Sequence, residues 1–368
     1  MKTVVNGTDL SSAVAKVSKA ISNRTTNPVL ECIKLSVKGD LLTLTATDME
    51  IAIETSIRAE TFMEGETLVL GKLFSEFVKK LEEEDQVELN MTGDDGRLKI
   101  VYSSSEVYLS CLSVDEFPSI NKEMREKAFS ILQKDFKDVI GKTVFCCSQD
   151  ESRPILKGAL LNVKDNVLTC VALDGFRLAL AKKNLRNSSS DFKVIVPARA
   201  LNEITRLLDR DEEEITFISE DNVLLIEVDG TTFTTRLLEG EFINYNQIIP
   251  TEFLSTVRVS RQAFLNSLER ATVVAKEMKN IIKLDIKENY INVQASSESG
   301  NVNENVLSSL EGKDISIAFN AKFLSDALKG AGDEFVNIYL NGSISPCVIK
   351  PYSGEEYLYL ILPIRIAA

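Results

Sequence analysis

Two arginines on one predicted helix are the first residues whose types and spacing suggest chemistry. Residues 197–208 predict an amphipathic helix, because apolar side chains recur there at helical spacing, at Leu201, Ile204 and Leu208. Arg199 and Arg206 lie seven residues apart, so at about 100° per residue they return to nearly the same edge of that helix. Guanidinium groups on one edge bind phosphates or pair with nearby carboxylates. The pattern becomes informative only if it recurs elsewhere in the chain.

Carboxylates are the other candidate for chemistry. Asp48, Glu50 and Asp174 could form a carboxylate-based enzyme site. The chain has no histidine, which removes the commonest general base and the commonest transition-metal ligand. It also has no phosphate-binding loop and no GxGxxG motif. Since no nucleophile accompanies these carboxylates, the sequence predicts a protein without catalytic residues, cofactor or metal, and the carboxylate enzyme stays as an alternative.

Composition limits the class of protein. A length of 368 residues suggests two or three domains. The longest apolar runs, such as residues 194–196, are far too short for a membrane span, and the start at Met1 lacks the apolar core of a signal peptide. Six cysteines without CxxC spacing are typical of reduced thiols. We therefore expect a cytoplasmic protein with no membrane partner.

The predicted elements occur three times in the same order. Each round has a strand, a helix, a strand hairpin, further strands, a second helix and closing strands. The hairpin turns begin at Lys38, Lys164 and Lys287, spacings of 126 and 123 residues. The first helices begin their apolar stripes at Leu10, Phe136 and Phe264, and the second helices place Phe74, Leu201 and Leu324 in register. The second helices are predicted at residues 72–81, 197–208 and 321–331, and Thr8 is the predicted cap of the first helix.

A period near 125 residues is too long for a solenoid unit. It predicts an α+β fold of three similar domains, each with two helices packed on antiparallel sheets. The expected domains are residues 1–121, 122–250 and 251–368.

Basic residues occupy equivalent positions of this repeat. The second helices align Lys72 with Arg199 and Lys322, and Lys79 with Arg206 and Lys329, while the first helices align Lys16, Lys142 and Arg270. One interpretation is pairing on each helix surface, because acidic residues lie four positions after the first basic residue, at Glu76, Glu203 and Asp326. The other is that the helices present one basic face to a common polyanion. Such segregation would reconcile a net charge of −13 with a nucleic-acid partner.

Helix packing tests whether such a face could line a hole. Six helices about 8–10 Å apart make a circle of roughly 18 Å in diameter, which a helix width of about 10 Å nearly fills. Twelve helices leave a hole of about 25 Å, enough for a hydrated duplex. A lining of this kind therefore needs two chains, and phosphate contacts would hold DNA without reading its sequence.

Three motifs carry a family resemblance. They are Val171-Ala172-Leu173-Asp174-Gly175-Phe176-Arg177-Leu178-Ala179, the C-terminal Tyr359-Leu360-Ile361-Leu362-Pro363-Ile364-Arg365, and Asp115-Glu116-Phe117-Pro118. With the three-domain layout, they closely resemble the bacterial DNA sliding clamps, the beta subunits of DNA polymerase III. The resemblance covers the whole chain.

That resemblance implies a head-to-tail homodimeric ring of six similar domains with helices lining the hole. It implies a processivity factor of DNA replication, a non-catalytic subunit of a DNA-directed DNA polymerase holoenzyme. Its partners would be duplex DNA, a second copy of the chain, the replicative polymerase, the clamp loader and other proteins that carry clamp-binding peptide motifs. Such a protein is expected in the cytoplasm, associated with the nucleoid during replication.

The resemblance also implies a hydrophobic peptide-binding cleft between the second and third domains. On the second-domain side it implies Leu156, Leu173, Gly175, Phe176, Arg177 and Leu178. The domain junction supplies Ile243, Gln247 and Ile248, and the C-terminal strand supplies Leu360, Ile361, Leu362, Pro363, Ile364 and Arg365. An apolar groove would take Leu and Phe anchors, while Arg177 and Arg365 could meet a peptide carbonyl or polar group.

The resemblance further supports Arg24, Gln149 and Arg199 as DNA-binding residues. At the interface between subunits it places Val107, Val273 and Val274. The family pattern is usually Thr-Asp-Gly-His-Arg-Leu, and here Leu173 and Phe176 replace its Thr and His, so we expect a more apolar and less cationic cleft. A third hypothesis, besides clamp and enzyme, is a three-domain protein adaptor that never meets DNA.

Overall fold

The computed structural model describes residues 1–22, 25–81, 86–91, 96–120, 127–186 and 191–365. The element order repeats three times along the chain, with one additional strand, β5 (Glu60–Met63), in the first round. The first round contains β1 (Lys2–Val5), α1 (Gly7–Val17), β2 (Cys32–Lys38), β3 (Leu41–Thr47), β4 (Ile51–Arg58), β5 (Glu60–Met63), β6 (Gly65–Leu70), α2 (Gly71–Val78), β7 (Val87–Asn90), β8 (Arg97–Tyr102) and β9 (Ser105–Leu112).

The second round contains β10 (Lys127–Leu132), α3 (Gln133–Gly141), β11 (Gly158–Lys164), β12 (Val167–Leu173), β13 (Arg177–Asn184), β14 (Phe192–Pro197), α4 (Ala198–Thr205), β15 (Glu214–Glu220), β16 (Val223–Val228) and β17 (Thr231–Arg236). The third contains β18 (Ser255–Ser260), α5 (Arg261–Ala275), β19 (Ile281–Lys287), β20 (Tyr290–Ser297), β21 (Gly300–Glu311), β22 (Ile315–Asn320), α6 (Ala321–Gly330), β23 (Phe335–Leu340), β24 (Cys347–Pro351) and β25 (Tyr357–Ile361). The predicted α+β repeat, with two helices in each round, is therefore confirmed.

The chain divides into two compact units. One comprises residues 1–133 and 203–237, and the other comprises residues 134–202 and 238–368. The division passes through the expected middle domain and falls inside α4, between Asn202 and Glu203. Among the described helices, none is long and apolar enough to cross a membrane.

Each unit has its own antiparallel sheet. In the first unit the strand order is β10-β15-β16-β17-β4-β3-β2-β6-β9-β8-β7-β1-β5. In the second unit it is β14-β11-β12-β13-β25-β24-β23-β18-β21-β20-β19-β22. The helices cover the sheets with apolar stripes, and the leading residues of those stripes, Leu10, Phe136 and Phe264, are fully buried. Burying a side chain of this size contributes about 1.5–3 kcal/mol.

Local sequence explains where the helices begin and end. Asn6, and not the predicted Thr8, caps α1, because its Oδ1 accepts the backbone N–H groups of Thr8 (2.9 Å) and Asp9 (3.2 Å). The second helices are shorter than predicted. Pro197 ends β14, and after Thr205 the N–H of Leu207 bonds the carbonyl of Ile204 at 2.9 Å, a tighter 3₁₀ turn.

The hairpins follow the predicted register. Two-residue turns separate β2 from β3, β11 from β12 and β19 from β20, and each preceding strand ends at one of the predicted lysines, Lys38, Lys164 and Lys287. At the second turn both Asp165 and Asn166 have positive φ, which matches the twist of the flanking strands.

Among the described strands, two pairs join one round to the next. In the first unit β4 pairs with β17, Ile51 opposite Thr235, and we call this the first junction. In the second unit β13 pairs with β25, Arg177 opposite Ile361, and we call this the second junction. In each case the strand that follows the hairpin in one round meets the last strand of the next round.

Two strands at the equivalent positions, β9 and β21, have no such partner in the described chain, and part of each edge is open. Residues 300–307 of β21 pair only with β20 among the described strands, and residues 105–110 of β9 pair only with β8. β21 follows the hairpin of the third round, and β9 is the last strand of the first round. They are therefore the counterparts of the strands that pair at the two junctions.

Candidate functional site

A buried apolar cluster in the second unit underlies the predicted cleft. It contains four of the predicted cleft residues, Leu156, Leu173, Leu178 and Leu360, together with Leu160, Val171, Leu180, Ile195, Val348 and Leu358. Phe242 and Tyr245, from the segment before β18, pack against it. Four predicted cleft residues thus share one core, and neighbours of the predicted junction residues pack against it.

A tight turn between β12 and β13 shapes the edge of this cluster. The Oδ1 of Asp174 accepts the N–H groups of Phe176 (2.8 Å) and Arg177 (3.0 Å), and Gly175 takes a positive φ of 94°. The carbonyl of Phe176 accepts the N–H of Leu362 at 2.9 Å. The turn is therefore tied to the chain that leaves β25, and the Phe176 side chain is left 62% exposed.

The Arg177 side chain joins this turn to α6 and to the backbone at Phe145. Its guanidinium donates to Asp174 Oδ2 (3.0 Å), Asp326 Oδ2 (2.7 Å) and the carbonyl of Phe145 (3.0 Å). It also stacks over Phe323, with 4.4 Å from Cζ to the ring centroid. Since these contacts engage the guanidinium and its side chain is only 10% exposed, Arg177 positions the turn, and its predicted contact with a peptide carbonyl stays a prediction.

Exposed apolar side chains border the cluster. Phe176, Ile243, Ile248 and Leu362 are each exposed to more than a third, although solvation of such side chains is unfavourable. Ile361 is buried, Pro363 and Ile364 are half-buried, and Gln247 is exposed. Arg365 is exposed and makes no hydrogen bond or ion pair with another described residue. The rim is apolar, with one available cation at its C-terminal end.

Most of the predicted DNA-binding residues are exposed. The exposed ones are Lys72, Lys79, Gln149, Arg199, Arg206, Arg270, Lys322 and Lys329, whereas Lys16 and Lys142 are half-buried. Arg24 lies outside the described residues. Long basic side chains at these positions can bury their apolar stems and keep the charged ends in water.

Several of these cations have carboxylate partners. Ion pairs join Lys142 to Asp138 (2.6 Å), Arg206 to Glu203 (2.6 Å), Arg270 to Glu304 (2.6 Å) and Lys329 to Glu269 (2.9 Å). Within the described part of the chain no carboxylate lies within 4 Å of Lys72, Lys79 or Lys322. Because exposed pairs contribute at most about 1 kcal/mol, the three exposed cations, Arg206, Arg270 and Lys329, can exchange their partners for phosphates.

The surface-pairing interpretation fails for two of the three second helices. It expected Glu76 to pair with Lys72 on α2, and Asp326 to pair with Lys322 on α6. Neither lysine has a carboxylate within 4 Å among the described residues, and Asp326 bonds Arg177 instead. The cations on these two helices are therefore not there to neutralise these carboxylates.

Lys19 is a basic residue that sequence reasoning missed. Its Nζ donates to the carbonyl of Arg206 at 2.7 Å. Burial lowers the pKa of Lys19; Glu203 opposes this shift, and the positive charges of Arg206 and Lys16 add to it. Lys19 lies three residues after Lys16 on the same helical face, a spacing that could have identified it.

The predicted interface residues lie beside the open strand edges. Val273 on α5 is 77% exposed, Val274 is half-buried, and Val107 on β9 is half-buried. Two more exposed apolar residues were missed, Tyr108 on β9 at 47% and Leu307 on β21 at 83%. The alternation of polar and apolar residues did not identify them, because it predicts polar side chains on the outward face of an edge strand.

The carboxylates considered for catalysis have structural partners. Asp48 Oδ1 accepts the N–H groups of Glu50 (3.0 Å) and Ile51 (2.9 Å), and Asp174 caps the equivalent turn. All six cysteines are free thiols, and burial raises the pKa of Cys32 to about 11 and that of Cys170 and Cys347 to about 12. Among the described residues no cluster of three or more acidic or cysteine side chains could hold a metal ion.

Comparison with known proteins identifies one family along the chain. Models of the DNA polymerase III beta subunit match residues 1–121 (N-terminal domain), 130–244 (central domain) and 246–365 (C-terminal domain). The beta sliding clamps of Halalkalibacterium halodurans and Staphylococcus aureus are 36% and 33% identical, over 96% and 94% of both chains. The solved DNA polymerase sliding clamp of Bacillus subtilis is 30% identical, with a TM-score of 0.96 and complete coverage of both chains.

Proposed function

This chain belongs to the DNA polymerase III beta subunit family, the bacterial beta sliding clamps, and we propose that it encircles duplex DNA and tethers the replicative polymerase to it. In this role it is a processivity factor and a non-catalytic subunit of the polymerase holoenzyme. The observation that carries the proposal is the match of three consecutive family domains to one chain whose helices repeat the same cations. We assign the clamp domains to residues 1–121, 122–250 and 251–368.

Ring closure between two chains follows from the strand edges. Both junctions pair the strand after a hairpin with the last strand of the following round. The same rule applied once more pairs β21 of one chain with β9 of a second copy. Exposed apolar groups beside these edges, Val273, Leu307 and Tyr108, would be buried there, with Val107 and Val274 nearby. Two chains repeat this contact and form a closed homodimer without unpaired edges of this kind.

The basic helix positions provide the DNA contact. We assign phosphate contacts to Lys16, Lys72, Lys79, Lys142, Arg199, Arg206, Arg270, Lys322 and Lys329, and also to Arg24 and Gln149. Such contacts carry no sequence information, so the ring can slide. The acidic remainder of the chain would repel DNA from the other surfaces.

The apolar cleft provides the protein contact. Its floor is the buried cluster with Leu156, Leu173, Leu178 and Leu360, and its rim carries Phe176, Ile243, Ile248 and Leu362. We assign to it short peptides with Leu and Phe anchors from the polymerase, the clamp loader and other DNA-processing proteins. The protein would act in the cytoplasm, on the nucleoid during replication.

Mass and DNA topology together test the ring. We expect a particle of about twice 40.8 kDa by light scattering. After loading, the protein should stay on circular DNA and leave the same DNA once it is cut, because a ring slides off an end. A stable monomer at micromolar concentration, or equal retention on both DNAs, would contradict the ring and favour ordinary binding or an adaptor.

Reversing the charge of Arg199 tests the helix face. Arg199→Glu should weaken DNA binding and reduce the slope of log Kobs against log salt by about 0.9 for each phosphate that is no longer neutralised. Affinity of the cleft for a short peptide with Leu and Phe anchors, of the form Gln-x-x-Leu-Phe, should not change. Lys164→Glu, at the exposed end of β11, is the matched control and should leave the slope as it is. An unaltered slope in Arg199→Glu would return this arginine to the surface-charge interpretation.

A further inference from the structure

A second groove in the second unit lies beside the cleft. It has a volume of about 660 Å³ and runs along the ends of β19, β20 and β21. Its apolar lining includes Met278, Ile281 and Val302, and Met278 is 52% exposed. This volume lies within the range of about 300–1,000 Å³ that is usual for ligand pockets, so a short peptide segment fits.

The charged lining of this groove has a single sign. Lys283 and Arg365 line it, and no carboxylate does among the described residues, although the chain carries a net charge of −13. Lys283 is partly neutralised by Asp285, with 2.9 Å from Nζ to Oδ2. Arg365 makes no ion pair with a described residue. An anionic group in this groove would therefore meet Arg365, which has no ion-pair partner among the described residues, and Lys283, which already pairs with Asp285.

The groove and the cleft share one chain segment. Leu360 and Leu362 belong to the cleft, whereas Ile364 and Arg365, which were also predicted for the cleft, line the groove. The N–H of Ile364 bonds the carbonyl of Ala318 at 2.8 Å, which fixes this segment against β22. A peptide that lies in the cleft thus has the groove directly beside it.

We propose that the groove binds the residues that flank the apolar motif of a partner peptide, and that it selects an acidic residue there. The carboxylate pairs with Arg365 and Lys283, and a neighbouring apolar side chain contacts Met278. This inference rests on the proposed peptide-binding function of the cleft. It adds a charge preference outside the Leu and Phe anchors, which would rank partners that share the same anchors.

Peptides of matched length test the preference. We would measure, by fluorescence anisotropy, the binding of a labelled Gln-x-x-Leu-Phe core peptide and of versions extended by four residues at either end. The extensions contain two Glu, two Ser or two Lys. We expect the Glu extension at one end to bind about fivefold more tightly than the Ser version at low salt, with the Lys version weakest.

Two substitutions on the same strand locate the effect. Lys283→Gln should reduce the fivefold preference to about twofold and leave the core peptide unaffected. Lys287→Gln is the control, because Lys287 is also on β19 and also pairs with an aspartate, Asp314 at 3.0 Å, outside the groove. It should keep the full preference. Equal binding of the Glu and Ser extensions, or a preference that survives Lys283→Gln, would overturn the groove assignment, whereas failure of the core peptide to bind would refute the cleft itself.

Discussion

The two junctions have the same backbone and different side chains. In both, an aspartate Oδ1 accepts two N–H groups of its own turn, Asp48 at the first junction and Asp174 at the second. In both, the carbonyl of the third turn residue accepts an N–H from the end of the paired strand. Glu50 accepts from Arg236 (3.1 Å), and Phe176 accepts from Leu362, directly after β25 (2.9 Å). Even the positive φ recurs, at Met49 (76°) and Gly175 (94°).

The side chains on this shared backbone determine which ligands each junction can bind. At the first junction the corresponding residues are Glu50, Thr234 and Arg236, which line a groove of about 230 Å³ together with apolar residues such as Ile51 and Ile120. At the second junction, apolar residues occupy the equivalent places, including Phe176, Leu360 and Leu362. The same backbone thus carries charged side chains at the first junction and apolar ones at the second, and for this reason we assign the proposed peptide with Leu and Phe anchors to the second.

Exchanging the side chains of the two junctions should have the largest effect. Phe176→Glu with Leu362→Arg places the residues of the first junction at the second. Peptide affinity should fall about 100-fold, because charged groups replace two apolar side chains that would contact the anchors. Anisotropy with the core peptide measures this. The fold should hold, because both side chains are exposed to more than a third. Glu50→Phe with Arg236→Leu is the reciprocal control and should leave affinity at the second junction unchanged; equal reductions in both variants would refute the comparison.

The support beneath the turn is a second difference. Arg177 reaches Asp326 at the second junction, whereas Ile51 occupies the equivalent position at the first. Asp326→Asn removes one charge of a largely buried pair and should lower the free energy of unfolding by about 2 kcal/mol and peptide affinity about tenfold. Urea titration and anisotropy give the two values. Asp138→Asn, which removes a half-exposed partner of Lys142, should cost under about 1 kcal/mol; similar costs for both would show that Arg177 does not position the turn.

The smallest effect is expected from the turn backbone. Gly175→Ala should lower the free energy of unfolding by about 1 kcal/mol, because an L side chain is strained at this φ. Met49→Gly at the first junction relieves similar strain but gives the unfolded chain more freedom, so its net change should stay within about 0.5 kcal/mol. Thermal unfolding of both variants measures the difference. A destabilised Met49→Gly together with a neutral Gly175→Ala would show that the two turns are not equivalent.

Much of this architecture could be predicted from the sequence. The spacing of Lys38, Lys164 and Lys287 depends on local hairpin chemistry, so it is enough to reveal the threefold repeat. The leading residues of the helix stripes, Leu10, Phe136 and Phe264, are all fully buried. They could be predicted because helical periodicity is a local property of the sequence. The motif at residues 171–179 carried the family resemblance, from which the apolar cleft was expected.

Contacts between distant residues could not be predicted in this way. The sequence placed Asp326 four residues after Lys322 and suggested a pair on one helix; the fold turns that carboxylate toward Arg177, 149 positions away along the chain. The open edges of β9 and β21, and the exposure of Tyr108 and Leu307 beside them, likewise depend on which strands pair.

By itself the sequence determined the repeat, the cations on equivalent helix positions and the apolar motifs, because each follows from residues close together in the chain. Only the tertiary structure decided that Arg177 supports the turn, that the two junctions share one backbone, and that two strand edges remain for a partner. Those properties depend on long-range pairing, in which a hydrogen bond or charge is satisfied by whichever group the fold brings within about 3 Å.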